Sequence, residues 1–291
     1  MDWFTLALIS ALLSAVASIL EKKTLFTYDA LEFSFILSAF NLLFSVPFFF
    51  YIDYSSVTAV SLIVLFFKSI MGVLAFWSVM LALKNLEISG ALPLMVLTPG
   101  LVALFAFIFL GESLAGLEIV GMLLLLSGTY ILEMKVEESL VHPLKVFINS
   151  KSHHFIIFAL LLFTVTSLLD KALLSRFKMT PYTFMAFQQL FFAVIFLVIY
   201  SIKTKSLKLD KPKFVLNWHI IAFIGIITIG YRYTQIEAVK IAPVALVLSV
   251  KRISVFIAAI GGGRIFREQS LLRKTIATII LIAGAIMILE E

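Results

Sequence analysis

The sequence predicts an all-α integral membrane protein, with ten transmembrane helices arranged as two five-helix inverted repeats. Composition is the first reason: 62% of the 291 residues are hydrophobic, 14% are charged, and mean hydropathy is +1.11. Soluble domains run at about 45–50% apolar and about 25% charged. The second reason is spacing, because the apolar residues fall into ten runs near the length of about 20 that a helix needs to cross a bilayer. The third is internal similarity. Laid on itself without gaps, Ala82–Leu132 falls on Ala238–Ile288, so that Lys84 meets Lys240, Glu112 meets Glu268 and Gly128 meets Gly284. At a slightly different offset, Ser18-Ile-Leu-Glu21-Lys22 falls on Ser167-Leu-Leu-Asp170-Lys171.

Taken in order, the runs are Trp3–Leu20, Phe33–Ile52, Ser61–Leu83, Ser89–Leu110 and Leu117–Leu132. After the polar segment Glu133–His154 come Phe155–Leu174, Thr183–Ile202, Val215–Gln235, Pro243–Ile260 and Leu271–Leu289. The chain therefore divides into a first repeat over 1–132, a connector over 133–154 and a second repeat over 155–291. Five spans per half is an odd number, so the second copy crosses the membrane in the opposite sense to the first. Secondary transporters are built this way, with the site near the midplane at the repeat interface. Trp3, Trp218, Tyr51, Tyr54 and Tyr200 lie near span ends, where an aromatic belt places them. The first run has no Lys or Arg ahead of it and is read as the first span rather than a cleaved leader, although Ala15-Val16-Ala17 superficially fits a cleavage site.

Several function classes recede. Without cysteine there is no disulfide framework and no thiol site. The net charge of +6 comes from basic residues in short loops, the pattern of membrane topology rather than of nucleic-acid binding. Gly261-Gly262-Gly263 lacks the preceding strand and following Lys-Ser/Thr of a phosphate loop and is read as a helix terminus. His142, His153 and His154 have no metal-ligand spacing, and no nucleophile–base or paired-carboxylate arrangement falls at one membrane depth. No cofactor, metal or catalytic residue is expected, and the chain is not expected to be an enzyme.

The candidate site rests on ionisable residues inside apolar runs. Lys251 and Arg252 sit near the middle of the ninth run, where a cation costs roughly 2.5–3.5 kcal/mol unless it meets protein, water or an anion. They are read as the floor of a substrate cavity, with structural pairing to a buried carboxylate as the competing explanation. Lys68, Arg232, Tyr233, Gln188 and Trp77 join them as candidate substrate contacts. Each has a plainer reading: Lys68 could snorkel, and Arg232 could neutralise Glu237 one turn on. Glu21 and Asp170 are candidate coupling carboxylates, although each precedes a lysine near a span end, where an interfacial ion pair would also fit. The excess of buried cations suits a carboxylate, phosphate or zwitterion, with Arg offering a bidentate fork and Lys a point charge.

Leu97-Thr98-Pro99 running to Leu110-Gly111-Glu112, followed by Gly121 and Gly128, resembles the helix-four and helix-five signature of the EamA family in the drug/metabolite transporter superfamily. In the second copy Arg267-Glu268 replaces Gly-Glu and Val255 stands where Pro99 would fall; Ser14-Ala15 occupies the place of a Trp-Gly pair many relatives carry. Ser249-Val250-Lys251-Arg252-Ile253-Ser254 is also similar to the helix-nine Lys-Arg pair of plastid phosphate translocators in the same superfamily. What that resemblance implies is anion binding at Lys251 and Arg252.

The expected function is secondary transport of a small organic anion or zwitterion, such as an amino acid or a phosphorylated or nucleotide-linked metabolite, by alternating access. The alternatives are an exporter of amino acids or cationic amphiphiles using Glu21 and Asp170, and a lipid flippase. Expected partners are a small-molecule substrate and the lipid bilayer, without nucleic acid, in a monomer or homodimer at the cell membrane. Orientation is read from the loops. The side opposite the termini carries fifteen basic residues, from Lys22, Lys23 and Lys84 through the lysines of Lys203–Lys213 to Arg273 and Lys274; the terminal side has Lys171, Arg176, Lys178 and Lys240. This bias places both termini outside, whereas the family resemblance implies cytoplasmic termini.

Overall fold

The computed structural model describes residues 1–98, 101, 116–133, 148–204, 211–242 and 244–287, and its regular elements are helices. They are α1 (Trp3–Leu25), α2 (Ala30–Phe49), α3 (Ala59–Asn85), α4 (Ile88–Leu94, followed by a 3-10 turn over Met95–Leu97) and α5 (Gly116–Glu133). The second half contributes α6 (Lys151–Ser175), α7 (Pro181–Thr204), α8 (Lys211–Ile241), α9 (Val244–Lys251), α10 (Ile253–Ile265) and α11 (Leu271–Met287). Of these, α1, α2, α3, α6 and α7 are each long and apolar enough to cross a membrane unaided. Pro99, Leu110, Gly111 and Glu112 lie outside the described residues.

Local chemistry sets the helix starts. Thr58 accepts from the Ser61 amide at 3.1 Å while the Ser61 hydroxyl accepts from the Thr58 amide at 3.0 Å, a reciprocal cap that begins α3. Ser150 accepts from the His153 amide to begin α6. Ahead of α1, the Thr5 hydroxyl donates to Asp2 and holds its exposed carboxyl below the ordinary range.

Packing runs between the halves. α1 packs on α8, α3 on α6, α2 on α7, α4 on α10 and α5 on α11. Exchanging the two repeats turns the first of these pairs into the second and leaves the others unchanged, as a two-fold relation requires. Small residues make the approach possible: Ala7, Ala11 and Ala15 form a fully buried stripe on α1, and the Ser10 hydroxyl donates to the Tyr231 carbonyl of α8 at 2.8 Å. Gly128 and Gly284 hold equivalent places in the α5–α11 pair. A Cβ on Gly284 would lie 2.7 Å from the Gly121 carbonyl oxygen, and one on Gly128 would lie 2.8 Å from Leu281 Cγ. Large apolar side chains such as Leu12, Phe67, Leu126 and Phe223 face outward, as a lipid-facing surface demands.

Two sequence offsets meet in space. Lys22 Nζ, at the end of α1, donates to the carbonyls of Leu83 (2.5 Å) and Leu86 (2.8 Å) at the end of α3. Lys171 Nζ, in α6, donates to those of Val239 (2.9 Å) and Ala242 (2.8 Å) at the end of α8. These are the same bonds in the two repeats, because Lys22 corresponds to Lys171, Leu83 to Val239 and Leu86 to Ala242. Helix C-termini leave carbonyls without intrahelical partners, and an ammonium satisfies them well. The lysine after each candidate coupling carboxylate therefore serves a helix end and does not pair with its neighbour.

Candidate functional site

The fourth and ninth spans are irregular at matching places. The 3-10 turn at Met95–Leu97 corresponds residue for residue to Lys251–Ile253, where α9 gives way to α10. Thr98 Oγ1 donates to the Met95 carbonyl at 2.8 Å, and its counterpart Ser254 Oγ donates to the Lys251 carbonyl at 2.7 Å. Such hydroxyls compete with the helical ladder. Both places keep right-handed helical dihedrals (Met95 φ −67°, ψ −14°; Arg252 φ −61°, ψ −20°), so each is a local tightening of the helix, and Met95 and Lys251 both border a cavity.

The cavity encloses about 260 Å³ and is lined from α1, α2, α3, α4, α6, α7, α8, α9 and α10. Its charged lining comprises Lys68, Arg232, Lys251 and Arg252 against Glu21 and Asp170. Asp170 is the internal counter-ion. Lys68 Nζ lies 2.7 Å from its Oδ1 and Arg232 Nη2 lies 3.6 Å from its Oδ2. Arg232 also donates to Gln235 Oε1 (3.1 Å) and Gln188 Oε1 (3.2 Å), while Lys251 Nζ donates to Gln235 and sits 5.0 Å over the Tyr231 ring. Arg252 Nε is buried without a hydrogen-bond partner among the described residues.

Repeat symmetry makes the asymmetry of charge plain. Arg232, Lys251 and Arg252 correspond to Phe76, Met95 and Val96, so the first repeat has apolar residues where the second has cations. Glu21 and Asp170 correspond and both line the cavity, yet among the described residues only Asp170 has cationic partners. The wall from α1 and α2 carries Ser14, Ser18, Glu21, Ser34, Ser38 and Asn41. Ser34 and Ser38 spend their protons on the carbonyls of Ala30 and Phe35 in their own helix, and Asn41 Oδ1 is buried with no partner among the described residues.

Of the residues singled out in the sequence, Lys68, Gln188, Arg232, Lys251, Arg252, Glu21 and Asp170 come together on this cavity. Tyr233 and Trp77 are not among its lining. Tyr233 faces away, stacked on Phe48 at 5.4 Å and donating to Glu237 Oε1 at 2.9 Å, which leaves Arg232 to the interior. Trp77 lies under Lys203, whose Nζ is 4.5 Å from the ring. Lys68 does not snorkel: it is 2% exposed and ends on Asp170. The hydroxyl wall was missed, although Ser14, Ser18 and Glu21 and again Ser34, Ser38 and Asn41 repeat at i, i+4, i+7, the spacing of one helix face.

Two related halves around a charged cavity, beside the tightened turns at Met95–Leu97 and Lys251–Ile253, have the architecture of a multi-pass membrane transporter. The family model for the EamA-like transporter family matches residues 1–134 and again 151–290, and the chain belongs to that family. It is a membrane transporter of the drug/metabolite transporter superfamily. A solved crystal structure of a protein aligns over 98% of this chain and 95% of that one, with a TM-score of 0.64 at 14% identity. That likeness concerns the fold alone. Among curated proteins none matches.

Proposed function

We propose that this chain is a secondary transporter that moves a small organic zwitterion or anion across the cell membrane by alternating access. One observation carries the reading: Arg232, Lys251 and Arg252 converge on one cavity whose nearest counter-ion, Asp170, is already engaged by Lys68. Partly buried cations inside a membrane protein in excess of their partners are costly, and an anionic group of the solute offsets that cost. Arg252 supplies the fork and Lys251 the mobile charge; Gln235 orients Lys251 and, with Gln188, holds Arg232. At about 260 Å³ the cavity falls below the range of about 300–1,000 Å³ for drug-sized ligands, which supports a compact solute over a nucleotide-linked one.

A specific feature favours a zwitterion over a plain anion. Glu21, 5% exposed and without a hydrogen-bond or ion-pair partner among the described residues, lines the same cavity from α1, which packs on α8 and α9. An ammonium group on the solute would complete it, while the carboxylate or phosphate meets Lys251 and Arg252. Thermal-shift titration with a panel of amino acids and compact phosphorylated metabolites tests the assignment, since a ligand stabilises in proportion to its occupancy. A stabilising solute that loses its effect in Lys251→Ala supports the reading. Solutes that stabilise wild type and Lys251→Ala alike would place the site elsewhere.

A further inference from the structure

Two sequence features of the second repeat lie outside the cavity lining: Glu268, the acidic residue after its fourth span, and the glycine triplet. In the second repeat they meet at one junction. The triplet lies within the last two turns of α10 and not beyond its end. A Cβ on Gly262 would lie 2.8 Å from Ile88 Cγ2, and one on Gly263 would lie 3.4 Å from Ser89 Cβ. Bare glycines thus let α10 rest against the first turn of α4. Just beyond, Arg267 takes a left-handed φ of 54°, and the Glu268 amide donates to the Gly263 carbonyl at 2.9 Å. That is a Schellman-type helix end with Arg at the position glycine normally fills. The first repeat has Gly111 at the equivalent sequence position.

The turn aims Glu268 at the other repeat. Its Oε1 accepts from the Ile88 amide at 2.7 Å, and its Oε2 accepts from the Ser89 amide at 2.9 Å and from the Ser89 hydroxyl. Two of the amides that α4 leaves without intrahelical partners are satisfied by a carboxylate from the opposite half. Glu87 pairs with Lys274 of α11, and Phe26 meets Phe266 edge-on at 5.6 Å. All three contacts join the repeats at one end of the bundle. Ile88 is one helical turn from Leu92, which lines the cavity.

We propose that Glu268 is a latch: its carboxylate fastens the α10–α11 turn to the start of α4 and holds this mouth of the cavity closed, and it must release Ile88 and Ser89 when the mouth opens. The inference rests on the transporter reading only in that a mouth must open; it does not depend on the solute. The groups facing Glu268 are the Ile88 and Ser89 amides, the Ser89 hydroxyl and, from α1, the Lys22 ammonium, with Glu87 and Lys274 forming the adjoining pair.

The chain has no native cysteine, which permits a direct test in full-length protein. Ala91, fully buried between Ile88 and Leu92, is replaced by cysteine as a reporter on the closed side, and Ala186, fully buried in α7, as a reporter away from the junction. Reaction with a charged maleimide is timed for each. Glu268→Gln is expected to speed labelling of Ala91→Cys by about tenfold or more, the shift for losing one charge-assisted hydrogen bond, and to leave Ala186→Cys unchanged. Lys274→Gln, which spares Glu268, should move the same reporter in the same direction. An unchanged Ala91→Cys rate in Glu268→Gln would overturn the latch. So would equal acceleration at both reporters in both variants, because that is general loosening. Either failure leaves the zwitterion reading standing, since no solute enters the assay.

Discussion

At the scale of single residues, the energetics of the cavity turn on Asp170. Its carboxylate and Lys68 are both buried, and removing one partner of such a pair leaves an uncompensated charge, at about 3–5 kcal/mol. Asp170→Asn should therefore lower thermal stability strongly, and adding Lys68→Met should recover most of the loss; a melt of the double variant no higher than that of Asp170→Asn would show that the pair is not the cause. Glu21→Gln should behave differently because no cation depends on it. Its melting temperature should stay close to wild type, while preference for a zwitterion over the same acid lacking its amino group should disappear. The sequence revealed the cations because charges stand out in apolar runs. It hid that Lys68 belongs to Asp170, since residues 68 and 170 meet only through the packing of α3 on α6.

Among the helices, the repeat relation explains features that composition alone leaves unconnected. The α5–α11 pair closes around Gly128 and Gly284, with backbone and not merely side chain against the latter. Gly284→Ala should destabilise by about 1–3 kcal/mol, the cost of overpacking, and a neutral melt would mean that the pair has room to separate. Lengths and the positions of most spans were legible in the apolar runs, since the bilayer imposes them. The tightened turn at Lys251–Ile253 was not, because it coincides with no glycine or proline; it arises where Ser254 turns its hydroxyl onto the Lys251 carbonyl. The lysines thought to pair with adjacent carboxylates were misplaced for a similar reason. A helix end two spans away offered carbonyls that nothing nearby in sequence announces.

For the whole molecule, orientation remains the prediction where charge and kinship oppose one another. Lys22 and Lys171 serve helix ends, Lys84 pairs with Asp29, and Lys274 pairs with Glu87, so several cations counted toward the loop bias are engaged within the fold. They stand on both sides, and the excess opposite the termini persists. Outward termini are therefore expected. A reporter that fluoresces only in the cytoplasm should stay dark when fused after Glu291 and light up within Lys203–Lys213; the reverse pattern would place the termini inside.

The central claim is that the cations of α8 and α9, with Arg252 between α9 and α10, hold the anionic group of a transported solute. Uptake and exchange in proteoliposomes, run with a panel of amino acids and compact phosphorylated metabolites, tests it most directly. Wild-type vesicles should move at least one zwitterion above empty vesicles. Lys251→Ala and Arg252→Ala should each weaken its apparent affinity by about 1–3 kcal/mol, or about 5–150-fold, with Arg252→Lys a partial rescue. Transport at wild-type affinity by both alanine variants, or no transport of any member of the panel, would contradict the account.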